Sequence, residues 1–213
     1  KGPTHRNDGT GLGNWSALAR LALPLRPVSF VPSPSAPIAS PMPPSTRNLS
    51  ALAGIFLRRW GLSCLLAPVC GYLLWAYATG TFTVLDTTAL LLHEAGHVFF
   101  APFGWTLHLL GGSLFQLILP GLFVVSFLGQ LYRPGVQIAL VWWGQNALYV
   151  STYAADAQER ALPLITNDPA THDWWNLLRA AGLLPYDDVV GGVFLGLALL
   201  AFGAALLVPR VIL

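Results

Sequence analysis

Five long apolar segments constrain the fold of this chain more than any other feature of its sequence. Only 9% of the residues are charged, whereas soluble domains carry about 25%. A helix needs about 20 apolar residues to cross roughly 30 Å of hydrocarbon, and each segment is about that long. We therefore predict an all-α membrane protein, a bundle of about five transmembrane helices at about 61–79, 84–103, 113–132, 136–155 and 189–208.

Residues 1–48 differ from the rest of the chain in composition. Eight prolines lie between Pro24 and Pro44, interleaved with Ser and Ala, and such a stretch buries little apolar surface. We predict a disordered tail over 1–48 and a polytopic membrane domain over 49–213. Within that domain most polar residues fall in one long loop, 156–188.

Charge, cysteine content and composition indicate which partners and cross-links to expect. A formal net charge of +2 without a clustered basic patch predicts no nucleic-acid partner. Cys64 and Cys70 lie in one apolar segment and point in different directions on a helix, so no disulfide is expected between them. The lipid bilayer is the partner that the composition predicts.

Arginines near the segment ends predict the orientation, since cytoplasmic loops carry an excess of Lys and Arg. With a cytoplasmic N-terminus and five crossings, more arginines lie inside than outside. The inside set is Arg58, Arg59, Arg160 and Arg179, and the outside set is Arg133 and Arg210. The second segment then runs inwards, and its cytoplasmic end shares a side of the membrane with the polar loop.

A His-Glu-Ala-Gly-His motif, residues 93–97, lies inside the second apolar segment. Positions i and i+4 share one face of a helix, so His93 and His97 can direct two imidazoles at one metal ion. Zn2+ suits this pair, with nitrogens at about 2.0–2.1 Å, a third protein ligand and an open position for water. Glu94 is placed to take a proton from that water and to deliver it to a leaving amine.

Two residues of the polar region are candidates for the third metal ligand. Asp156 ends the apolar run of the fourth segment, and His172 lies further along the loop. A carboxylate and an imidazole both serve zinc, so both remain open. Asp173 is expected to orient a ring nitrogen. Gln145 and Asn146 are polar at membrane depth and are expected to face the bundle, where they bind a substrate backbone or a ligand carboxylate.

The motif and its surroundings resemble a known family. The stretch His93-Glu94-Ala95-Gly96-His97-Val98-Phe99-Phe100-Ala101, followed by Leu109-Leu110-Gly111-Gly112, is similar to the site-2 protease family of intramembrane zinc metalloproteases. Small bacterial proteins related to that family look similar in three further stretches. These are Gly144-Gln145-Asn146, Tyr153-Ala154-Ala155-Asp156-Ala157 and His172-Asp173-Trp174.

The resemblance implies that His93 and His97 bind zinc, that Glu94 is the catalytic base, and that the chain lies in a bacterial cytoplasmic membrane. It also implies a short extended segment after the motif helix. Here that segment is Thr106 to Leu110, which can pair with an unwound substrate. The family's usual third ligand is an Asp in a late membrane helix; its flanking signature is absent, and Asp156 is the nearest positional equivalent.

Two functions of different classes follow from these residues. The first is a zinc-dependent intramembrane endopeptidase that cleaves a membrane-anchored protein, with Glu94 as general base. The alternative is a metal-binding polytopic membrane protein without peptidase activity, such as a carrier or a structural module. Replacement of Glu94 by Gln distinguishes them, because only the peptidase needs a group that moves protons.

Overall fold

The computed structural model describes residues 47–212, which form six α-helices and three short 3-10 turns. The α-helices are α1 Arg47–Thr79, α2 Val84–Phe100, α3 Trp105–Gly129, α4 Arg133–Ala155, α5 Asp173–Ala180 and α6 Asp187–Val211. No strand occurs between 47 and 212, so the all-α prediction is confirmed for this range. Residues 1–46 of the predicted tail lie outside the described residues.

Three helices of the described range are long and apolar enough to cross a bilayer, namely Ser50–Thr79, Trp105–Gly129 and Leu184–Val211. They coincide with three of the predicted segments and are consistent with a membrane protein. α2 has only 17 residues, and α4 carries Gln137, Gln145 and Asn146 among its buried residues. The predicted count of five spans is therefore not confirmed.

α4 is the central helix of the bundle, and more of its residues are buried than in any other described helix. Gly144 allows α4 to approach α6 closely, because a Cβ there would lie 2.6 Å from the ring of Phe202. The polar side chains of α4 find partners inside the bundle. Gln137, for example, donates to Ser63 Oγ at 2.8 Å and to the Ala205 carbonyl at 2.9 Å.

Four arginines mark one end of the bundle, which we call the arginine end. Arg59 Nε donates to the Pro209 carbonyl at 2.9 Å, directly before Arg210. Arg58, Arg59 and Arg133 line one small pocket of about 250 Å³. The start of α4 and the end of α6 therefore lie beside the same part of α1.

α1, α4 and α6 meet the polar loop at the opposite end, which we call the loop end (residues 156–186). Tyr77 of α1 donates to Ser151 of α4 at 3.0 Å, and Ser151 donates to the Gly191 carbonyl of α6 at 2.7 Å. Gln158 in the loop binds Asp187 at the start of α6. α1 and α4 therefore run in the same direction, from the arginine end to the loop end.

α2 does not carry the chain from one end of the bundle to the other. Near its start, Gln145 Nε2 donates to Asp86 Oδ1 at 2.9 Å, halfway along α4. Two turns later the rings of His93 and Tyr153 are 5.4 Å apart, near the end of α4. α2 thus runs in the same direction as α4, and Asp86 secures its start by accepting the Thr83 backbone N–H at 2.6 Å.

This path of α2 overturns the predicted grouping of the arginines. Arg133 shares an end with Arg58 and Arg59 instead of lying opposite them. Arg160 and Arg179 lie at the loop end, where both guanidinium groups stack on the Trp175 ring, at 4.7 and 4.8 Å. The grouping assumed that the second segment crosses the bundle, and it is wrong because the chain turns back at 80–83 before α2 begins.

α2 and α3 form a close antiparallel hairpin. Gly96 and Gly111 face each other, and a Cβ on Gly111 would lie 2.7 Å from the Gly96 carbonyl oxygen. The turn Ala101–Phe103 and Gly104, with a φ of 96°, reverse the chain in a few residues. The predicted extended segment at Thr106–Leu110 is wrong, because so short a reversal lets α3 begin at Trp105.

Candidate metal centre

Three potential ligand atoms converge where α2 meets the start of α5. His93 Nε2 lies 2.9 Å from Asp173 Oδ2, and His97 Nε2 lies 3.1 Å from the same oxygen. The two Nε2 atoms are 3.1 Å apart. His93 and Asp173 are buried and His97 is half-buried, so the cluster lies inside the protein with one side less covered.

This triangle matches three corners of a zinc coordination tetrahedron. Ligand atoms at about 2.0–2.1 Å from a tetrahedral zinc ion are about 3.3–3.4 Å apart. The observed separations of 2.9 to 3.1 Å are slightly shorter. Two imidazoles with one carboxylate are also a donor set found in catalytic zinc sites, which keep the fourth position open. The residues therefore fit zinc.

The His97 ring is held in the orientation that metal binding requires. Its Nδ1–H donates to the His108 carbonyl at 2.7 Å, which leaves the Nε2 lone pair free to face the cluster. The His108 ring returns the contact, since its Nδ1–H donates to the His97 carbonyl at 3.0 Å. A ring nitrogen that donates to a backbone carbonyl is the usual support of a metal-binding histidine.

The His93 ring occupies space that Gly112 leaves free on α3. A Cβ on Gly112 would lie 2.5 to 2.7 Å from three atoms of that ring. His93 Nδ1 is buried and has no hydrogen-bond partner within residues 47–212. Close packing against Gly112 therefore fixes this ring together with the contact of its Nε2 with Asp173, whereas the ring of His97 is fixed by its hydrogen bond to the His108 carbonyl.

Asp173 is held in place by contacts of α5 with α3 and α4. It is the first residue of α5, which Trp174 attaches to α3 by donating from Nε1 to Ser113 Oγ at 3.1 Å. The Tyr153 hydroxyl donates to Asp173 Oδ2 at 3.3 Å and accepts the Asp173 backbone N–H at 3.0 Å. Burial raises the pKa of Asp173, but its contacts with the His93 and His97 imidazoles outweigh burial and lower the pKa to about 2.

Neither residue predicted as the third ligand reaches the two imidazoles; Asp173, predicted only to orient a ring, lies there instead. His172 is fully buried, and its Nδ1 accepts the Trp175 backbone N–H at 3.2 Å, which caps α5. Its Nε2 lies 3.3 Å from Asp156 Oδ2 without hydrogen-bond geometry. Burial lowers the pKa of His172, and the Asp156 carboxylate opposes this.

Asp156 shapes the loop that follows α4. Its carboxylate accepts the backbone N–H groups of Ala161 and Leu162, at 2.9 and 3.1 Å. Together with His172 it supports the segment that carries Asp173. The sequence alone does not decide among Asp156, His172 and Asp173, because the turn before α5 determines which side chain faces α2.

Gln145 and Asn146 face the bundle, as predicted, but neither contacts the cluster. Gln145 binds Asp86, and Asn146 Nδ2 donates to the Trp142 carbonyl at 2.9 Å and to Gln145 Oε1 at 3.2 Å. Asn146 Oδ1 is buried without a partner in the described range. These two side chains therefore join α4 to the start of α2.

Tyr153 belongs to the site although the sequence assigned it no role. Besides its two hydrogen bonds to Asp173, its ring lies 5.4 Å from that of His93 and 4.3 Å from that of His172. The available signal was its place in the Tyr-x-x-Asp-Ala stretch, one turn before Asp156. Only the fold shows that its hydroxyl points at the carboxylate.

A large cavity of about 1030 Å³ opens beside the cluster. Its walls come from α1 to α5 and loop residues 162–166, and they are mostly apolar. His93, His97 and Asp173 line it, and so does Glu94, whose side chain is exposed and has no hydrogen-bond partner among residues 47–212. The potential ligand atoms therefore border a cavity with room for water and a ligand.

No family model, no curated protein and no solved structure matches this chain. The resemblance to the site-2 proteases therefore stays a prediction. The geometry of the cluster and of the cavity stands independently of it.

Proposed function

We propose that this chain is a zinc-dependent intramembrane endopeptidase that hydrolyses a peptide bond of a membrane-anchored protein. One observation carries the proposal. Two imidazole nitrogens and one carboxylate oxygen lie within 3.1 Å of each other, and Glu94 lines the same cavity. This is the set of groups that metal-assisted amide hydrolysis requires.

Each residue of the set has a distinct part in that reaction. His93, His97 and Asp173 would hold the ion, which supplies a Lewis acid and lowers the pKa of water to about 7. Glu94 takes a proton from the attacking water and delivers it to the leaving amine. Tyr153 and His108 hold the Asp173 carboxylate and the His97 ring in position.

The surroundings suit a membrane-anchored substrate. We place α1, α3, α4 and α6 across the bilayer, with α2 inside the half next to the loop end. The cluster then lies below the membrane surface, in a cavity whose apolar walls accept lipid-soluble side chains. A substrate helix has to unwind locally to bring its backbone to the cluster, because a helical amide is already hydrogen-bonded.

The test combines metal content with cleavage. The chain is purified in detergent without chelator, and bound zinc is measured by elemental analysis. Cleavage is then measured on a set of single-span test proteins with epitope tags at both ends. We compare wild type, Glu94→Gln and the matched control Glu159→Gln, which removes an exposed carboxylate of the loop.

The proposal expects about one zinc per chain in all three proteins. Cleavage should occur with wild type and Glu159→Gln, and it should fall at least about 100-fold with Glu94→Gln, the usual contribution of a general base. Stoichiometric zinc without cleavage of any test protein supports the alternative, a metal-binding membrane protein. Absence of zinc from wild type overturns both.

A further inference from the structure

Basic residues are distributed unequally between the two ends of the bundle. Residues 47–212 contain seven arginines and no lysine. Five belong to the arginine end, because Arg47 begins α1 and so precedes Arg58 and Arg59 on that side. The other two, Arg160 and Arg179, lie at the loop end.

The acidic residues show the opposite distribution. No Asp or Glu occurs in 47–85, 95–155 or 189–212. Six acidic residues lie between 156 and 188, close to the loop end; they are Asp156, Glu159, Asp168, Asp173, Asp187 and Asp188. None of the arginines from Arg58 to Arg210 forms a salt bridge with any of them in the described part of the chain.

The length of α4 separates these two ends by the thickness of a membrane. α4 has 23 residues, which at 1.5 Å per residue corresponds to about 34 Å, and a hydrocarbon core is about 30 Å thick. Arg133 is its first residue, and Asp156 directly follows its last. α1 and α6, which are long and apolar enough to cross a bilayer, join the same two ends. With these helices across the membrane as proposed above, the arginine end and the loop end lie at opposite membrane surfaces.

We infer that the metal centre opens to the non-cytoplasmic side of the membrane. Cytoplasmic loops carry the excess of Lys and Arg, so the arginine end lies in the cytoplasm. The loop end, with the cluster and the cavity beside it, then faces away from the cytoplasm. With five full crossings, the excess of arginine in cytoplasmic loops predicts that the motif lies on the cytoplasmic side. Because α2 begins halfway along α4 and does not cross the bundle, the motif lies on the opposite side.

This inference deepens the proposed function. Its statements about substrates rest on the proposed peptidase activity. The substrates are membrane-anchored segments that reach the cavity from the non-cytoplasmic leaflet. The scissile bond then lies in the outer half of a substrate span or directly outside it. Water also reaches the site from that side, since loop residues 162–166, of which Pro163, Ile165 and Thr166 are exposed, form part of the cavity wall.

Thiol labelling from one side of the membrane tests the inference. The background chain carries Cys64→Ser and Cys70→Ala, so that it has no thiol. Three exposed positions then each receive one cysteine: Ala170 at the loop end, Thr152 in the cavity wall and Gln130 between α3 and α4, at the arginine end. Intact and disrupted cells that express each variant are treated with a small membrane-impermeant maleimide.

We expect labelling of Ala170→Cys and Thr152→Cys in intact cells, and labelling of Gln130→Cys only after disruption. The reverse pattern overturns the inference, and so does equal labelling of Gln130→Cys and Ala170→Cys in intact cells. Labelling of Thr152→Cys only after disruption would show that the cavity opens to the cytoplasmic side, which also overturns it.

One control and the choice of readout keep the outcome interpretable. The melting temperature of each purified variant has to match that of the cysteine-free background, which excludes misfolded protein. Labelling reports the side of the membrane whether or not the chain binds zinc or cleaves peptides. Failure of this inference and failure of the proposed function are therefore separate results.

Discussion

Replacement of Gly112 by Ala should damage the metal centre through a single added methyl group. The new Cβ would lie 2.5 Å from Cε1 and 2.6 Å from Nε2 of the His93 ring. Carbon atoms in ordinary contact are about 3.5–4.0 Å apart. The ring therefore has to retreat by about 1 Å, whereas metal–ligand distances tolerate only about 0.2 Å.

We expect zinc affinity to fall at least about 10- to 100-fold, the effect of disturbing residues that orient a metal ligand. The helix itself should not suffer, since Ala favours a helix over Gly by about 1 kcal/mol. Competition with a chromophoric chelator measures the affinity, and thermal melting in excess chelator measures the stability of the metal-free protein.

Gly121→Ala is the matched control on the same helix. A Cβ at Gly121 would lie 3.6 Å from the Trp143 ring, which is ordinary contact. Zinc affinity should stay within about twofold of wild type there, because nothing near the cluster has to move. Wild-type affinity in Gly112→Ala would refute the reasoning, since the His93 ring would then not depend on the space beside α3.

Three further predictions concern the ligands. Asp173→Asn should weaken zinc binding about 100-fold or more, because the cluster loses its only carboxylate. The control Asp188→Asn replaces an exposed carboxylate and should leave zinc binding unaltered. Tyr153→Phe should weaken zinc binding about 10- to 100-fold through the lost hydrogen bonds to Asp173, and an equal effect of the exposed control Tyr132→Phe would contradict this. Zinc affinity should decline steadily as the pH falls from 8 to 5, because protons compete with the metal for the two imidazoles, and isothermal titration calorimetry at each pH checks this.

Local sequence patterns predicted the parts of this protein that depend on neighbouring residues. Apolar runs predicted α1, α3 and α6, since any chain segment of that length and composition is expected to form a helix in a bilayer. The spacing of His93 and His97 predicted that the two imidazoles meet, because helix geometry alone brings i and i+4 together.

Sequence patterns did not predict features that depend on contacts between separate segments of the chain. The sequence indicates His172 or Asp156 as the third member of the cluster, whereas the turn before α5 brings Asp173 to the imidazoles. Thr106 to Leu110 was expected to be extended. The reversal after α2 takes only Ala101–Phe103 and Gly104, so that Thr106 to Leu110 belong to α3.

The sequence by itself determined that residues 47–212 are helical and apolar and that one helix carries two imidazoles and a carboxylate. Those properties follow from composition and from spacing within a single segment. The tertiary structure alone decided that Asp173 and Tyr153 complete the site and that α2 starts halfway along the bundle. Both depend on the path of the turns at 80–83 and before Asp173, which bring together residues far apart in the chain.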